Sequence, residues 1–201
     1  AALARGHEVW TINVDDLGLS PDQKVNARAH RPPKRKYKSH TTYINELRGP
    51  QAHSERITVD DLDVLMLRND PADDAAKRPF AQTAGITFGL MAVRAGVIVV
   101  NHPEGLAKAL NKMYFQHFPE EVRPRTMITR SHADVRHFAR EMGTIVIKPM
   151  TGSGGVNVFL VRPEDIPNIN QMVDAVLRDG YIVAQEYLPA AEQGDMRLIM
   201  M

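Results

Sequence analysis

Thr144-Ile145-Val146-Ile147-Lys148-Pro149, then Met150-Thr151-Gly152-Ser153-Gly154-Gly155, then Val156-Asn157-Val158-Phe159-Leu160-Val161 is the stretch that decides how this chain is read. Its first part is a β-branched run ending on a lysine, which reads as a buried strand; its last part reads as a second strand. Between them lies a glycine-rich loop. A cation at a strand end beside many backbone N–H groups is a place to hold nucleotide phosphates. Two common phosphate motifs do not fit. A Walker loop carries its lysine after the turn, and Lys148 precedes it. A dinucleotide fingerprint runs from its glycines into a helix, and here a strand follows. Taken singly, Lys148 also reads as a side chain emerging at a strand end, and the glycines as turn geometry. Residues 151–155 make a longer, more pliable loop than a tight turn requires, so the pair of features favours a phosphate lid.

Outward from this loop, the pattern is helix and strand in turn. Residues 168–178 read as a helix and 181–187 as a strand that closes on Gln185-Glu186-Tyr187-Leu188-Pro189. A segment leaving a strand can offer C=O and N–H groups to a purine edge. Gly194, Asp195 and Arg197 follow; Asp195 suits ribose hydroxyls and Arg197 an oxyanion. The plain alternative is a strand end with a charged hairpin. Before the loop, residues 104–117 have helical spacing and contain Asn111-Lys112-Met113-Tyr114-Phe115. Residues 125–129 read as a strand, and Ser131 as the cap of a helix that runs to Met142 and stops at Gly143. Two antiparallel strands flanked by helices make an α+β unit, expected over residues 104–201.

The first part of the chain, expected as residues 1–103, follows a different plan. Residues 7–14 and 63–68 read as strands, 80–95 as a helix stopped by Gly96, and 97–101 as a further strand. Strand, helix and strand at this length form a parallel crossover unit. The result is a small α/β, doubly wound parallel-sheet domain lacking its first strand. Asn69-Asp70-Pro71 stands at the carboxyl end of the 63–68 strand, where open α/β sheets bind ligands. Residues 27–38 are basic (Arg28, Arg31, Lys34, Arg35, Lys36, Lys38). Pro32-Pro33 argues against a helix there, and a solvated loop is favoured over a polyanion site.

Composition narrows the function classes. The chain has 201 residues, 43% hydrophobic and 24% charged, with formal net charge +1. No global field draws it to nucleic acid or to a membrane surface, and no apolar run is long enough to span a bilayer. With no cysteine there is no disulfide, thiolate nucleophile or Cys-ligated zinc, which fits a reducing, cytoplasmic setting. His132 and His137 are off the i, i+4 spacing that puts two metal ligands on one helix face. Residues 1–6 resemble the end of a helix, and residues 196–201 a strand that stops without a turn. The chain is therefore expected to be a fragment.

Taken together, several stretches resemble the bacterial-type glutathione synthetases of the ATP-grasp superfamily, over essentially the whole chain. They are Ala27-Arg28-Ala29-His30, Leu62-Asp63-Val64-Leu65-Met66-Leu67-Arg68-Asn69-Asp70-Pro71, Val99-Val100-Asn101-His102-Pro103 and Asn111-Lys112. Ile147-Lys148-Pro149 with the glycine loop and Gln185-Glu186-Tyr187-Leu188-Pro189 through Gly194-Asp195 complete the set. The resemblance implies a pre-ATP-grasp α/β domain followed by a truncated α+β ATP-grasp domain. It implies an ATP-dependent ligase that joins γ-glutamylcysteine to glycine through an acyl phosphate. Lys112 and Lys148 would neutralise ATP phosphates, and Gly152, Ser153, Gly154 and Gly155 would close over the acyl phosphate and exclude water. Gln185, Glu186, Tyr187 and Leu188 would hold adenine, and Asp195 the ribose. Arg197 would be catalytic, steadying the tetrahedral oxyanion, while Asn69 and Asp70 would face the dipeptide. The Mg2+ ligands are expected beyond Met201, so none is assigned here. The expected partners are the two small-molecule substrates and further copies of the chain in a homo-oligomer, without nucleic acid or membrane. Another ATP-grasp carboxylate–amine ligase is the alternative enzyme reading; a non-catalytic polyanion-binding module is the alternative outside enzymes.

Overall fold

The computed structural model describes residues 2–69, 74, 78–152, 154–194 and 196. The chain forms two compact units, Ala1–Lys108 and Ala109–Met201. Among the described residues no helix is long and apolar enough to cross a membrane.

In the first unit, β1 (Thr11–Leu19), β2 (Val25–Arg31) and β3 (His53–Thr58) form an antiparallel sheet in that order. The strand expected at 7–14 thus starts later and runs further, with a register shift between Ile12 and Leu17. The basic run is not wholly a loop either. Val25, Ala27 and Ala29 alternate as fully buried residues under a face that carries Arg28, so small apolar side chains make residues 25–31 a strand. Its cations are also partly neutralised: Arg31 lies 2.9 Å from Glu8, and Lys34 lies 2.6 Å from Glu46. The expected solvated loop is confined to the residues between β2 and α1 (His40–Arg48), a helix that Ser39 caps by accepting from the Thr42 N–H.

The parallel crossover is β4 (Val64–Met66), α2 (Ala81–Arg94) and β5 (Ile98–Val100). Leu67, Ala92, Val97 and Val99 pack with Val25, Ala27 and Val59 in one core. Helix α2 approaches closely because it presents glycine. A Cβ at Gly89 would stand 2.9 Å from Leu67 Cδ1, and one at Gly85 would stand 2.8 Å from Asn69 Oδ1. On the opposite face Val64 pairs with Ile98 and Met66 with Val100, and all four side chains are exposed.

The expected helix over 104–117 is divided into α3 (Pro103–Lys108) and a separate 3-10 segment, Lys112–His117. Asn111 causes the division. Its extended backbone and its side-chain oxygen, which accepts from the Met113 N–H at 2.9 Å, start a new helical segment.

The second unit is a four-stranded antiparallel sheet in the order β6 (Thr126–Thr129), β9 (Ile182–Glu186), β7 (Ile145–Pro149), β8 (Phe159–Val161). Helices α4 (His132–Met142) and α5 (Ile169–Leu177) cover one face. Val135, Phe138 and Ala139 of α4 and Ile169, Val173 and Val176 of α5 meet Ile145, Ile147, Val161, Ile182 and Ala184 in a single core. Each fully buried Val or Ile contributes roughly 1.5–3 kcal/mol to holding the helices on the sheet. Ser131 caps α4 by accepting from the Asp134 N–H, and Gly143 ends it at φ 79°. The returning strand is shorter than expected: residues 154–157 turn, and pairing begins at Phe159. Val156 and Val158 are exposed, so they lack the burial that would hold them in the sheet. The expected 168–178 helix is α5, bounded by its caps Asn168 and Arg178, and a 3-10 segment, Pro163–Asn168, leads into it.

Candidate functional site

Strand alternation decides which side chains of β7 are available for chemistry. Ile145, Ile147 and Pro149 are buried against the helices, while Val146 and Lys148 face the other side of the sheet. Register adds neighbours on that side. Val146 stands opposite Leu160 on β8 and Gln185 on β9, and Gln185 stands opposite Thr126 on β6. The Gln185 amide donates to Thr126 Oγ1 at 2.9 Å, which fixes the Gln185 side chain across the strands. Lys148 is half-buried, and desolvation lowers its pKa from the ordinary 10.5. Among the described residues it has no ion pair and no hydrogen-bonded side-chain partner.

Lys112 comes to the same place from the 3-10 segment. Its backbone N–H donates to Met150 O at 2.9 Å. Its ammonium donates to Pro149 O at 2.8 Å, Thr151 O at 3.0 Å and Gly152 O at 2.9 Å. Burial lowers its pKa first, and the charge of Lys148 lowers it further. Both cations therefore act at the exit of β7, where the glycine loop starts.

The loop is built for conformation. Gly152, Gly154 and Gly155 have φ of 86°, 70° and 76°, and a Cβ at any of them would meet nothing within 4 Å. Glycine is needed here for left-handed backbone, not for close packing. Asn157, also at positive φ (55°), donates from Nδ2 to Asp179 Oδ2 at 2.8 Å and so anchors the loop's far end. The sequence reading missed Asn157 and Asp179. The available signal was an asparagine, the side chain that tolerates this backbone best after glycine.

At the end of β9, the N–H groups of Glu186 and Tyr187 are committed to Arg125 O at 3.0 Å and Thr144 O at 3.1 Å. Among the described residues the Leu188 N–H makes no hydrogen bond, so it is an uncommitted backbone donor at this strand end. The Tyr187 hydroxyl donates to Glu192 at 2.6 Å, and this bond raises its pKa. Ser153, Asp195 and Arg197, and the strand expected over 196–201 apart from Met196, lie outside the described residues.

Asn69 belongs to the first unit. Its amide lies 3.5 Å from Asp74 Oδ2, and Asp74 in turn accepts from Arg78 Nη2 at 2.7 Å. Asp74 is only 5% exposed and is held by Arg78, which also reaches Asp15 at 3.1 Å. Asp74, Arg78 and Asp15 were not singled out from the sequence, since an acidic and basic mixture reads as solvated surface. Arg68, Asn69 and Arg78 are among the residues that line a cleft of about 1230 Å³ in this unit. Asp70 lies outside the described residues. No three His, Asp or Glu side chains gather as a metal site among the described residues.

The second unit matches an ATP-grasp domain. Among solved structures, a RimK domain protein ATP-grasp from Sphaerobacter thermophilus matches with a TM-score of 0.53 and 18% identity, covering 92% of this chain and 56% of that one. An ATP-grasp ligase, PsnB, solved with a minimal precursor, Mg and ADP, matches with a TM-score of 0.50 and 18% identity over 92% of this chain and 58% of that one. The models of the prokaryotic glutathione synthetase N-terminal domain and ATP-grasp domain match residues 1–107 and 111–201. The glutathione synthetase of Pseudomonas syringae pv. tomato is 36% identical over 146 residues, which cover 71% of this chain and 43% of that protein. The Escherichia coli glutathione synthetase is 30% identical over 205 residues, covering 99% of this chain and 59% of that protein. The chain belongs to the prokaryotic glutathione synthetase family. It spans between 42% and 59% of the length of these and the other first relatives.

Proposed function

We propose that the protein containing this chain is an ATP-dependent carboxylate–amine ligase that joins γ-glutamylcysteine to glycine. The observation that carries this reading is the meeting of Lys112 and Lys148 at the glycine loop, two partly desolvated cations of which Lys148 further lowers the pKa of Lys112. A polyphosphate is such an anion. Lys148, half-buried and unpaired among the described residues, would take phosphate oxygens directly. Gln185 and the Leu188 N–H would fix the purine, with Asp195 on the ribose. The bound Mg and ADP of the PsnB structure agree with this use of the fold.

In the proposed reaction the dipeptide's cysteinyl carboxylate attacks the γ-phosphorus and ADP leaves, giving an acyl phosphate. The glycine amine then attacks the acyl carbon, loses a proton, and phosphate departs. Residues 152–155 would close over this intermediate, because water would otherwise hydrolyse it. Arg197 would face the tetrahedral oxyanion. Asn69, held by Asp74, and Asp70 would contact the dipeptide. Magnesium would supply further charge neutralisation at the phosphates. No ligand is assigned to it among these residues, and no step.

The test is ADP release by the intact protein across a panel of acceptor carboxylates and amines. Release with γ-glutamylcysteine and glycine alone is the expected result. Release with a peptide or protein carboxylate would transfer the protein to another ATP-grasp ligase class, and none with any pair would remove the ligase reading.

A further inference from the structure

The ammonium of Lys112 has three protons, and three carbonyl oxygens accept them: Pro149, Thr151 and Gly152, all at 2.8–3.0 Å. Its backbone N–H holds a fourth oxygen of the same arm, that of Met150. The four consecutive carbonyl groups of residues 149–152, at the exit of β7, thus converge on one residue. This arrangement does more than bring a charge to the site. We propose that Lys112 is a positioning residue that fastens the entry arm of the glycine loop before any nucleotide is bound, and so confines loop movement to the part beyond Gly152. The proposal deepens the ligase reading and rests on it for the loop's purpose, though not for the tether itself.

Three features support the division between a fixed arm and a moving one. The far end has its own anchor, the Asn157–Asp179 bond. Between the two anchors, Gly154 and Gly155 are at positive φ, and a Cβ added at either would meet nothing within 4 Å, so close packing does not hold them. Lys148, the other cation, has no bond to the loop among the described residues, so removing its charge leaves the tether whole. Lys112 as it stands has no proton free for a phosphate oxygen. To donate to one it must release a carbonyl, which links arrival of the nucleotide to release of the entry arm.

The test is amide hydrogen exchange of residues 149–158 in the intact protein without nucleotide, in Lys112→Met and Lys148→Met. Exchange of the Met150 N–H, which donates to Tyr181 O at 3.1 Å, should rise by at least about tenfold in Lys112→Met, as local protection is lost, and stay at the parental rate in Lys148→Met. Equal protection in Lys112→Met and the parent would overturn the tether. Should Lys112→Met fail to fold, the parent protein answers alone through acylation of its lysines. Lys112 should then label about tenfold more slowly than the exposed Lys108, and equal labelling would overturn the proposal. Both readouts are taken without ATP or substrate. An intact protein that fails to release ADP would therefore sink the ligase reading and leave this result standing.

Discussion

The charge of Lys148 reaches Lys112 and lowers its pKa, second in size to the burial of Lys112 itself. The two cations sit on separate elements, one on β7 and one in the 3-10 segment Lys112–His117, yet they share one patch of field. That arrangement is costly in the absence of an anion and favourable with one.

The first prediction concerns pH. Both lysines have folded-state pKa values below the ordinary 10.5. The folded protein therefore gives up these protons before the unfolded chain does. Their contribution to stability rises with pH between the lowered values and 10.5, where the unfolded chain binds more protons. Tyr187 acts in the opposite sense: its raised pKa gives stability that is lost as pH climbs above 10.0 through the folded value. Denaturant titrations of Lys148→Met beside the parent isolate the lysine part. The variant should lack the rise that Lys148 gives, and identical pH profiles would count against the depressed pKa.

The second prediction is catalytic. In the intact protein, Lys148→Ala should lower turnover by about 10²- to 10³-fold, the scale for losing one preorganised electrostatic donor. Its fold should survive, since Lys148 lies on the face away from the helices. Steady-state ADP release with a thermal melt checks both parts. Near-parental turnover would take Lys148 out of the mechanism.

Glycine substitutions should separate conformation from packing. Gly154→Ala puts a side chain at φ 70° in open space, so it should cost about 1–2 kcal/mol of local strain and fall mainly on turnover. Gly89→Ala drives a Cβ to 2.9 Å from Leu67 in the first unit. It should lower global stability by about 1–3 kcal/mol. Calorimetric melts and turnover on the two variants should give opposite patterns.

A core substitution sets the scale for these effects. Ile147 is fully buried between β7 and the helices, so Ile147→Ala should cost about 2–5 kcal/mol. A denaturant midpoint that stayed in place would mean that the sheet does not carry the second unit's stability.

The second unit was legible where its chemistry is local. The β-branched run of β7, the Ser131 cap and the Gly143 stop each mark one element, and the structure has all three. The lysine ahead of the glycines was visible as a site for the same reason. The bond from Lys112 to the loop was not, because its acceptors are backbone carbonyls 37 to 40 residues away and carbonyls carry no residue signature. In the first unit, β2 was hidden because its buried side are Val25, Ala27 and Ala29, small residues overshadowed by the arginines between and after them. The 3-10 segments were missed for another reason. Their spacing is close to that of an α-helix, and only Asn111 marks the break.

The central claim is that Lys112 and Lys148 serve one polyphosphate. The most direct test is a crystal structure of the intact protein with a non-hydrolysable ATP analogue. The account predicts both Nζ atoms turned toward that ligand's phosphates, with Lys148 in hydrogen-bond contact and residues 154–155 moved over them. A well-ordered analogue bound elsewhere, with the two ammonium groups directed into solvent, would contradict it.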